Sequence, residues 1–314
     1  MNRIVKFFDY VFVLRPTLFF PVWTVYAAGY FAFYKFSGFG GNGAAFTLDG
    51  AALCLLGLLT LLMGSAYILN QLCDIETDRR NQKLFLIADG HISTRAAWLE
   101  MILLCVLPMS AGFLYGVATG GLLMAIFLLT GIFYNVAPFQ WKGRPLLGLL
   151  ANALGALFIF TAGWWSMRIE WRLPILHALP YMFAVSAVYL YTTLLDMEGD
   201  ASTQKMTFGV RYGLRVTTVV GCILEFGALI TAWWLSDFVI FYPALIAAPF
   251  FLFAVIRQRL SEVSRAIKLP ILFLALAICT KVWQYFLLIA FVFFFSRWYY
   301  RRRFGLSYPS LAAK

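Results

Sequence analysis

Apolar runs of about twenty residues, each long enough to cross a hydrocarbon core of about 30 Å, fill most of this 314-residue chain. Nine spans are expected, at about 17–35, 50–72, 96–117, 120–137, 146–166, 175–195, 215–235, 238–257 and 270–296. Composition agrees, with 62% of residues hydrophobic and 12% charged, against about a quarter charged in a soluble protein. The expected fold class is all-α, a polytopic membrane protein forming one domain over residues 1–314.

Polar residues gather where these runs end. The stretch YILNQLCDIETDRRNQKLF, from Tyr67 to Phe85, closes the second span, and its Asn70, Asp74 and Asp78 recur every four residues. On a helix that spacing stacks their side chains along one face. Two carboxylates and an amide suit Mg2+, which takes one or two carboxylates and completes its shell with water and phosphate oxygens.

A near-copy follows in YLYTTLLDMEGDASTQKMTF. Tyr67, Leu72, Asp74, Glu76, Asp78, Gln82 and Lys83 are matched there by Tyr189, Leu194, Asp196, Glu198, Asp200, Gln204 and Lys205, with Thr192 in place of Asn70. Seven identities without a gap indicate an internal parallel duplication, with halves at about 1–137 and 138–314. Because the second and sixth spans run in the same direction, both acidic copies fall on one membrane face.

The net charge of +11 does not point to nucleic acid, because the basic residues lie in short loops rather than on one soluble face. With the N-terminus inside, Arg79, Arg80, Lys83, Lys142, Arg144, Lys205 and Arg211 fall on the inner side and Lys35, Arg168 and Arg172 on the outer. The expected location is a prokaryotic inner membrane, with the acidic loops cytoplasmic. Nine spans leave the stretch RWYYRRRFG outside, unless the last apolar stretch, interrupted by Lys281, is not a single span. Lys281 and Glu225 are intramembrane charges and so functional candidates by default, each without an obvious partner in sequence.

Residues 1–16 read as an interfacial helix leading into the first span rather than a removable signal peptide. Arg15, beside Pro16 at the membrane edge, reads by position as a snorkelling anchor. The five cysteines lack CxxC spacing and read as small apolar residues. His91 and His177, the only histidines, have no ligand spacing with them, so no zinc site is expected.

Two carboxylate pairs on one membrane face, surrounded by bases, meet the needs of a diphosphate ester. The acids hold Mg2+, the ions neutralise the diphosphate, and basic side chains, with Lys83, Arg144 and Lys205 as candidates, contact its remaining oxygens. If the ester is allylic, weakening its C–O bond yields a carbocation that a nucleophile captures.

NQLCDIETD resembles the first aspartate-rich motif, NxxxDxxxD, of the UbiA superfamily of intramembrane prenyltransferases, and DMEGD resembles the second, DxxxD. The resemblance continues in LRP (Leu14 to Pro16), FLIADGHIS (Phe85 to Ser93), YNVAPFQWKGRPLLGLLANALG (Tyr134 to Gly155) and DMEGDASTQKMTFGVRYG (Asp196 to Gly213). It implies a UbiA-like bundle that moves a prenyl group from a prenyl diphosphate to an aromatic or lipid acceptor, with Mg2+, releasing diphosphate. By that resemblance Asn70, Asp74, Asp78, Asp196 and Asp200 would bind the diphosphate through Mg2+, and Arg15, Lys142 and Arg211 would contact phosphate. Tyr134, otherwise an interfacial aromatic, would turn its ring face to the cation. Gln71 departs from the NDxxD of many members; it lies off the 70–74–78 stripe, which leaves the metal site intact and bears on acceptor choice.

A cation-coupled transporter whose duplicated acids bind ions is the alternative from another class, since parallel repeats also occur in transporters. Transport sites lie near the bilayer midplane at broken helices, whereas these acids lie at helix ends beside Arg79, Arg80 and Lys83. A phosphatidyl-type transferase is weakened because DGxxAR is missing, and soluble nucleotide chemistry because no P-loop is present. The expected partners are membrane lipid and the two substrates, with no nucleic acid and no obligate protein partner. No residue specifies the acceptor; a quinone or isoprenoid-lipid pathway is the expectation.

Overall fold

In hydrocarbon every backbone amide and carbonyl needs a partner within the protein, and the apolar runs of this chain meet that need as helices. The computed structural model describes residues 3–37, 48–80 and 86–309, and among these no strand occurs. Two short helices, α1 (Arg3–Phe7) and α2 (Asp9–Phe12), lead through a 3-10 turn (Pro16–Leu18) into α3 (Phe19–Phe36). Then come α4 (Gly50–Cys73), α5 (Ile75–Arg80), α6 (Thr94–Tyr115) and α7 (Val117–Phe127), the last continued by a π-helical turn (Leu128–Phe133). A 3-10 turn (Trp141–Gly143) precedes α8 (Pro145–Trp165), α9 (Arg172–Leu195) and α10 (Met197–Ser202). The chain ends with α11 (Phe208–Trp234), α12 (Phe238–Arg257), α13 (Leu260–Cys279) and α14 (Trp283–Phe304).

Seven helical segments among the described residues are long and apolar enough to cross a membrane, and Val117–Phe133 is apolar but shorter. The protein is an integral membrane protein. Helices α4 and α6 start on polar caps: Asp49 accepts from the Ala52 amide at 2.7 Å and Ser93 from the Ala96 amide at 3.2 Å. At the centre, α3 packs on α8 through small residues, as helices do where lipid offers no hydrophobic drive to associate. A Cβ on Gly29 would fall 2.0 Å from the Phe160 carbonyl oxygen, and one on Gly163 2.0 Å from that of Tyr26. Around this crossing lie the fully buried Tyr26, Tyr30, Phe160, Trp164 and Tyr181.

The stretch 270–296, expected as one ninth span, is two helices that part at Thr280–Val282. A single helix would hold the Lys281 ammonium deep in the apolar layer, at high cost. The break instead leaves Lys281 exposed, with its ammonium over the Phe31 ring, at the end of the bundle where Lys35 bonds the Ser236 carbonyl. From there α14 returns to the opposite end, and Arg303 pairs with Asp9 at 3.0 Å. The arginine-rich C-terminus therefore lies with the N-terminal helices and not across the membrane from them, which removes the exception to the charge asymmetry. Glu225, by contrast, is buried within α11, and one of its carboxylate oxygens has no hydrogen-bond partner.

The reciprocal glycine contact sets a stability test. Gly163→Val must push α3 and α8 apart and is expected to cost about 1–3 kcal/mol, read as a lowered thermal midpoint in detergent. Gly57→Val, at a position with nothing within 4 Å, is expected to leave the midpoint unchanged; equal effects of the two would contradict the crossing.

Candidate active site

The duplicated motif folds the same way twice. Helix α4 stops at Cys73, Asp74 leaves helical geometry at φ −108° and ψ 12°, and the chain restarts as α5. Likewise α9 stops at Leu195, Asp196 sits at φ −101° and ψ 6°, and α10 follows. The two short helices pack on each other, so both acidic segments share one end of the bundle. Asn70, Asp74 and Asp78 thus do not form the stripe on one continuous helix that their spacing predicts. The break at Asp74 instead gives each its own partners.

Asp74 is held from two sides. Lys142 donates to Oδ2 at 2.5 Å and Lys205 to Oδ1 at 2.8 Å. With 13% of the Asp74 side chain and 11% of Lys142 exposed, water screens this pair little. Burial pushes the Asp74 carboxyl up, but the two ammonium groups outweigh it and hold it below the usual carboxylate value. Burial also pushes the Lys142 ammonium down, against the pull of Asp74. Asp78 has weaker help: its Oδ2 lies 3.8 Å from the Arg15 guanidinium, and burial pushes its carboxyl up to about 6 despite that arginine. Asp200 is raised as well, by burial first, with Lys205 opposing and Asp196 adding repulsion.

The bases reach the acids along an unusual backbone. Arg15 itself has φ 53°, Gln140 two residues before Lys142 has φ 39°, and Gln204 next to Lys205 has φ 58°. Left-handed conformations cost a non-glycine residue about 1–3 kcal/mol and gather at functional sites, where the surrounding structure enforces them. Arg144, in contrast, is exposed and donates to the Pro138 carbonyl at 3.1 Å, and Arg211 is exposed on the first turn of α11, so neither is drawn onto the aspartates. Lys83 lies outside the described residues.

Asn135 is a residue that sequence reasoning missed. Fully buried, it accepts from Asn70 at 2.5 Å and from Lys142 at 3.1 Å, and it donates to the Thr130 and Gly131 carbonyls at 2.9 and 3.0 Å. Those carbonyls belong to the π-helical turn, a distortion that frees backbone acceptors and recurs at functional sites. The available signal was a lone amide inside an apolar run. Gln71 is buried outside the cavity lining and donates to the Val13 and Tyr67 carbonyls at 2.7 and 3.1 Å.

Beneath the polar cluster opens a cavity of about 630 Å³. Arg15, Asn70 and Asn135 line its polar end, while Val22, Val25, Met63, Ala156, Ile159 and Val185 line its apolar part. On one wall Tyr134 meets the side chains of Asn152 and Tyr189. Gly148 makes room for this contact, since a Cβ there would fall 2.2 Å from the Tyr189 hydroxyl. Tyr67 and Tyr189 both line the cavity, so the sequence repeat marked Tyr189 without revealing its place.

Mg2+ is tested by the donor chemistry. Asp74 lies within electrostatic reach of Asp78 and of Asp200, and Asp200 of Asp196, while among the described residues no three His, Cys, Asp or Glu side chains form a metal cage of their own. Hard oxygen donors in too small a number for a full shell fit Mg2+, which commonly takes the rest from phosphate and water.

The chain belongs to the UbiA prenyltransferase family, whose model matches residues 22–268. It is 30% identical over 179 residues to a probable homogentisate phytyltransferase 2 from Oryza sativa subsp. japonica, a match covering 52% of this chain and 46% of that one. It is 27% identical over 196 residues to a digeranylgeranylglyceryl phosphate synthase from Methanoculleus marisnigri, covering 60% of this chain and 68% of that one. The plant match spans less than half of that relative's length. In fold the protein is similar to a UbiA homolog from Archaeoglobus fulgidus bound to GPP and Mg2+, with a TM-score of 0.65, 20% identity, and coverage of 90% of this chain and 99% of that one.

The raised pKa of Asp78 has a stability consequence of definite sign. In metal-free protein, folded Asp78 holds its proton up to about pH 6, while an unfolded carboxyl releases it near about pH 4. The group therefore costs stability at neutral pH, and the cost fades as pH falls through that window. Asp78→Asn is expected to raise the thermal midpoint in EDTA at pH 7 by about 1–2 °C and to lose that advantage at pH 4. A lowered midpoint at pH 7 would contradict it.

Proposed function

We propose that this protein transfers a prenyl group from a prenyl diphosphate to an aromatic or lipid acceptor within the membrane, in an Mg2+-dependent reaction that releases diphosphate. One observation carries the reading: Asp74, held between Lys142 and Lys205, joins through Lys142 and Asn135 to the polar lining of a cavity whose other walls are apolar. That shape fits an ester with a charged head and a hydrocarbon tail.

Asp74, Asp78, Asp196 and Asp200, with Asn70, would hold the metal–diphosphate head. Mg2+, when bound, neutralises charge on the leaving diphosphate. Lys142 and Lys205, which hold Asp74 between them, supply ammonium donors for the diphosphate oxygens, and Arg15 supplies a guanidinium at the cavity mouth. As the C–O bond of the allylic ester breaks, its electron pair leaves with the diphosphate. The ring of Tyr134 then faces the positive charge left on carbon. The acceptor forms the new bond and loses a proton.

The cavity also bears on the acceptor. Arg15 is its one charged lining residue, and the wall beside Tyr134 offers the hydroxyls of Tyr189 and Thr192 and the amide of Asn152. Neutral donors and acceptors of that kind suit a phenolic ring better than a second phosphate. This activity would serve quinone or isoprenoid-lipid synthesis, with the acidic end facing the cytoplasm of a prokaryotic inner membrane. The clustered bases argue for the same side, since loops rich in Lys and Arg stay inside. Ion transport is less well supported, because the acids occupy helix ends and Asp74 already holds two lysines.

The test is Mg2+-dependent release of diphosphate from geranylgeranyl diphosphate by purified protein with a panel of phenolic and glycerol-phosphate acceptors. Acceptor-dependent release is expected from the wild type, abolished by EDTA and reduced at least about a hundredfold in Asp74→Asn and Asp196→Asn. Full activity of Asp196→Asn would sink the two-cluster reading, and a rate indifferent to EDTA would remove the metal from it.

A further inference from the structure

The turn that carries Arg15 is held from outside as firmly as from within. On the inner side the Gln71 amide donates to the Val13 carbonyl at 2.7 Å, and the Tyr67 hydroxyl to the Leu18 carbonyl at 3.2 Å. The outer side is covered by the last helix. Asp9, buried in α2, accepts from the Tyr299 hydroxyl at 2.6 Å and takes both forks of Arg303, Nε on Oδ1 and a terminal nitrogen on Oδ2, each at 3.0 Å. Phe12 stacks flat on Tyr299, with ring centroids 3.7 Å apart. Past the end of α14, the Tyr308 hydroxyl lies 3.0 Å from the Thr17 hydroxyl. Contacts on Asp9 and Thr17 thus bracket Arg15.

None of the residues lining the cavity comes from α14. Helix α14 begins at Trp283, beyond residue 268, where the match to the family model ends. A buried bidentate Arg–carboxylate pair is costly to assemble and costly to break, so it is a poor way to gain stability and a good way to fix geometry. What it fixes here is the approach to a left-handed arginine that lines the cavity.

We propose that α14 and residues 305–309 form a strap that positions Arg15 for the diphosphate, with Tyr299 and Arg303 on Asp9 as its latch. The strap rests on the prenyl-transfer reading for its purpose, but its geometry can be tested without substrate. Arg303 is a positioning residue, since it acts on the ligand only through Arg15.

Two measurements test it. In Arg303→Ala the KM for prenyl diphosphate is expected to rise about tenfold, with kcat and the acceptor KM within about twofold, and Arg303→Lys to recover part of the loss. In an Arg15→Ala background the same substitution is expected to add nothing, because the two residues act in series. Independent additive losses, or a fall in kcat alone, would overturn the strap. The second measurement needs no turnover: thiol labelling of a Thr17→Cys variant, read against its parent, is expected to accelerate when Arg303→Ala is added. An unchanged labelling rate would overturn the strap even in a fully active enzyme. Accelerated labelling in a protein that releases no diphosphate would uphold the strap and contradict only the prenyl-transfer reading.

Discussion

A charge buried in an apolar slab without a partner costs several kcal/mol, and that constraint shapes both ends of this molecule. At one end it forces the break at Thr280–Val282, which returns Lys281 to an exposed turn and sends α14 back across the bundle. At the other it makes the acids and bases solve each other's problem. Asp74 is tolerable where it stands because Lys142 and Lys205, from the loops flanking α8–α10, close on it from both sides. The same pairing ties the first acidic segment to the second.

That cluster is organised in advance rather than relaxed. Three bases depend on left-handed turns at Arg15, Gln140 and Gln204, and the amide of Asn135 holds Asn70 and Lys142 together while anchoring on a π-helical turn. Asp78, whose carboxyl burial pushes up to about 6 despite Arg15, is costly to keep charged at neutral pH. Strain and residual charge of this kind are what a site retains when it is built for a ligand that brings its own charges. The cavity extends the same logic, with polar groups at one end and only hydrocarbon contacts at the other.

Much of this could be read from the chain. Hydropathy located the helices, and the repeat placed Asp74 and Asp196 at equivalent helix ends. Four-residue spacing misled on one point, because it carries no sign that α4 stops at Cys73 and restarts at Ile75. Base placement was only partly legible: Lys142 and Lys205 reach Asp74, while Arg144 and Arg211 do not, a difference decided by turns whose left-handed residues are glutamines rather than glycines. Asn135 looked like one more residue in an apolar run, and the course of α14 was hidden because hydropathy alone does not reveal a reversal inside a long apolar stretch.

The most direct test of a metal-bridged diphosphate site is calorimetric titration of the purified protein with geranylgeranyl thiolodiphosphate, an unreactive analogue, in Mg2+ and in EDTA. The expected result is binding at least about a hundredfold tighter with Mg2+, about 2.7 kcal/mol, with most of that gain lost in Asp196→Asn. Equal affinity in EDTA, or a full Mg2+ effect in Asp196→Asn, would contradict a site in which both acidic segments hold one metal–diphosphate head.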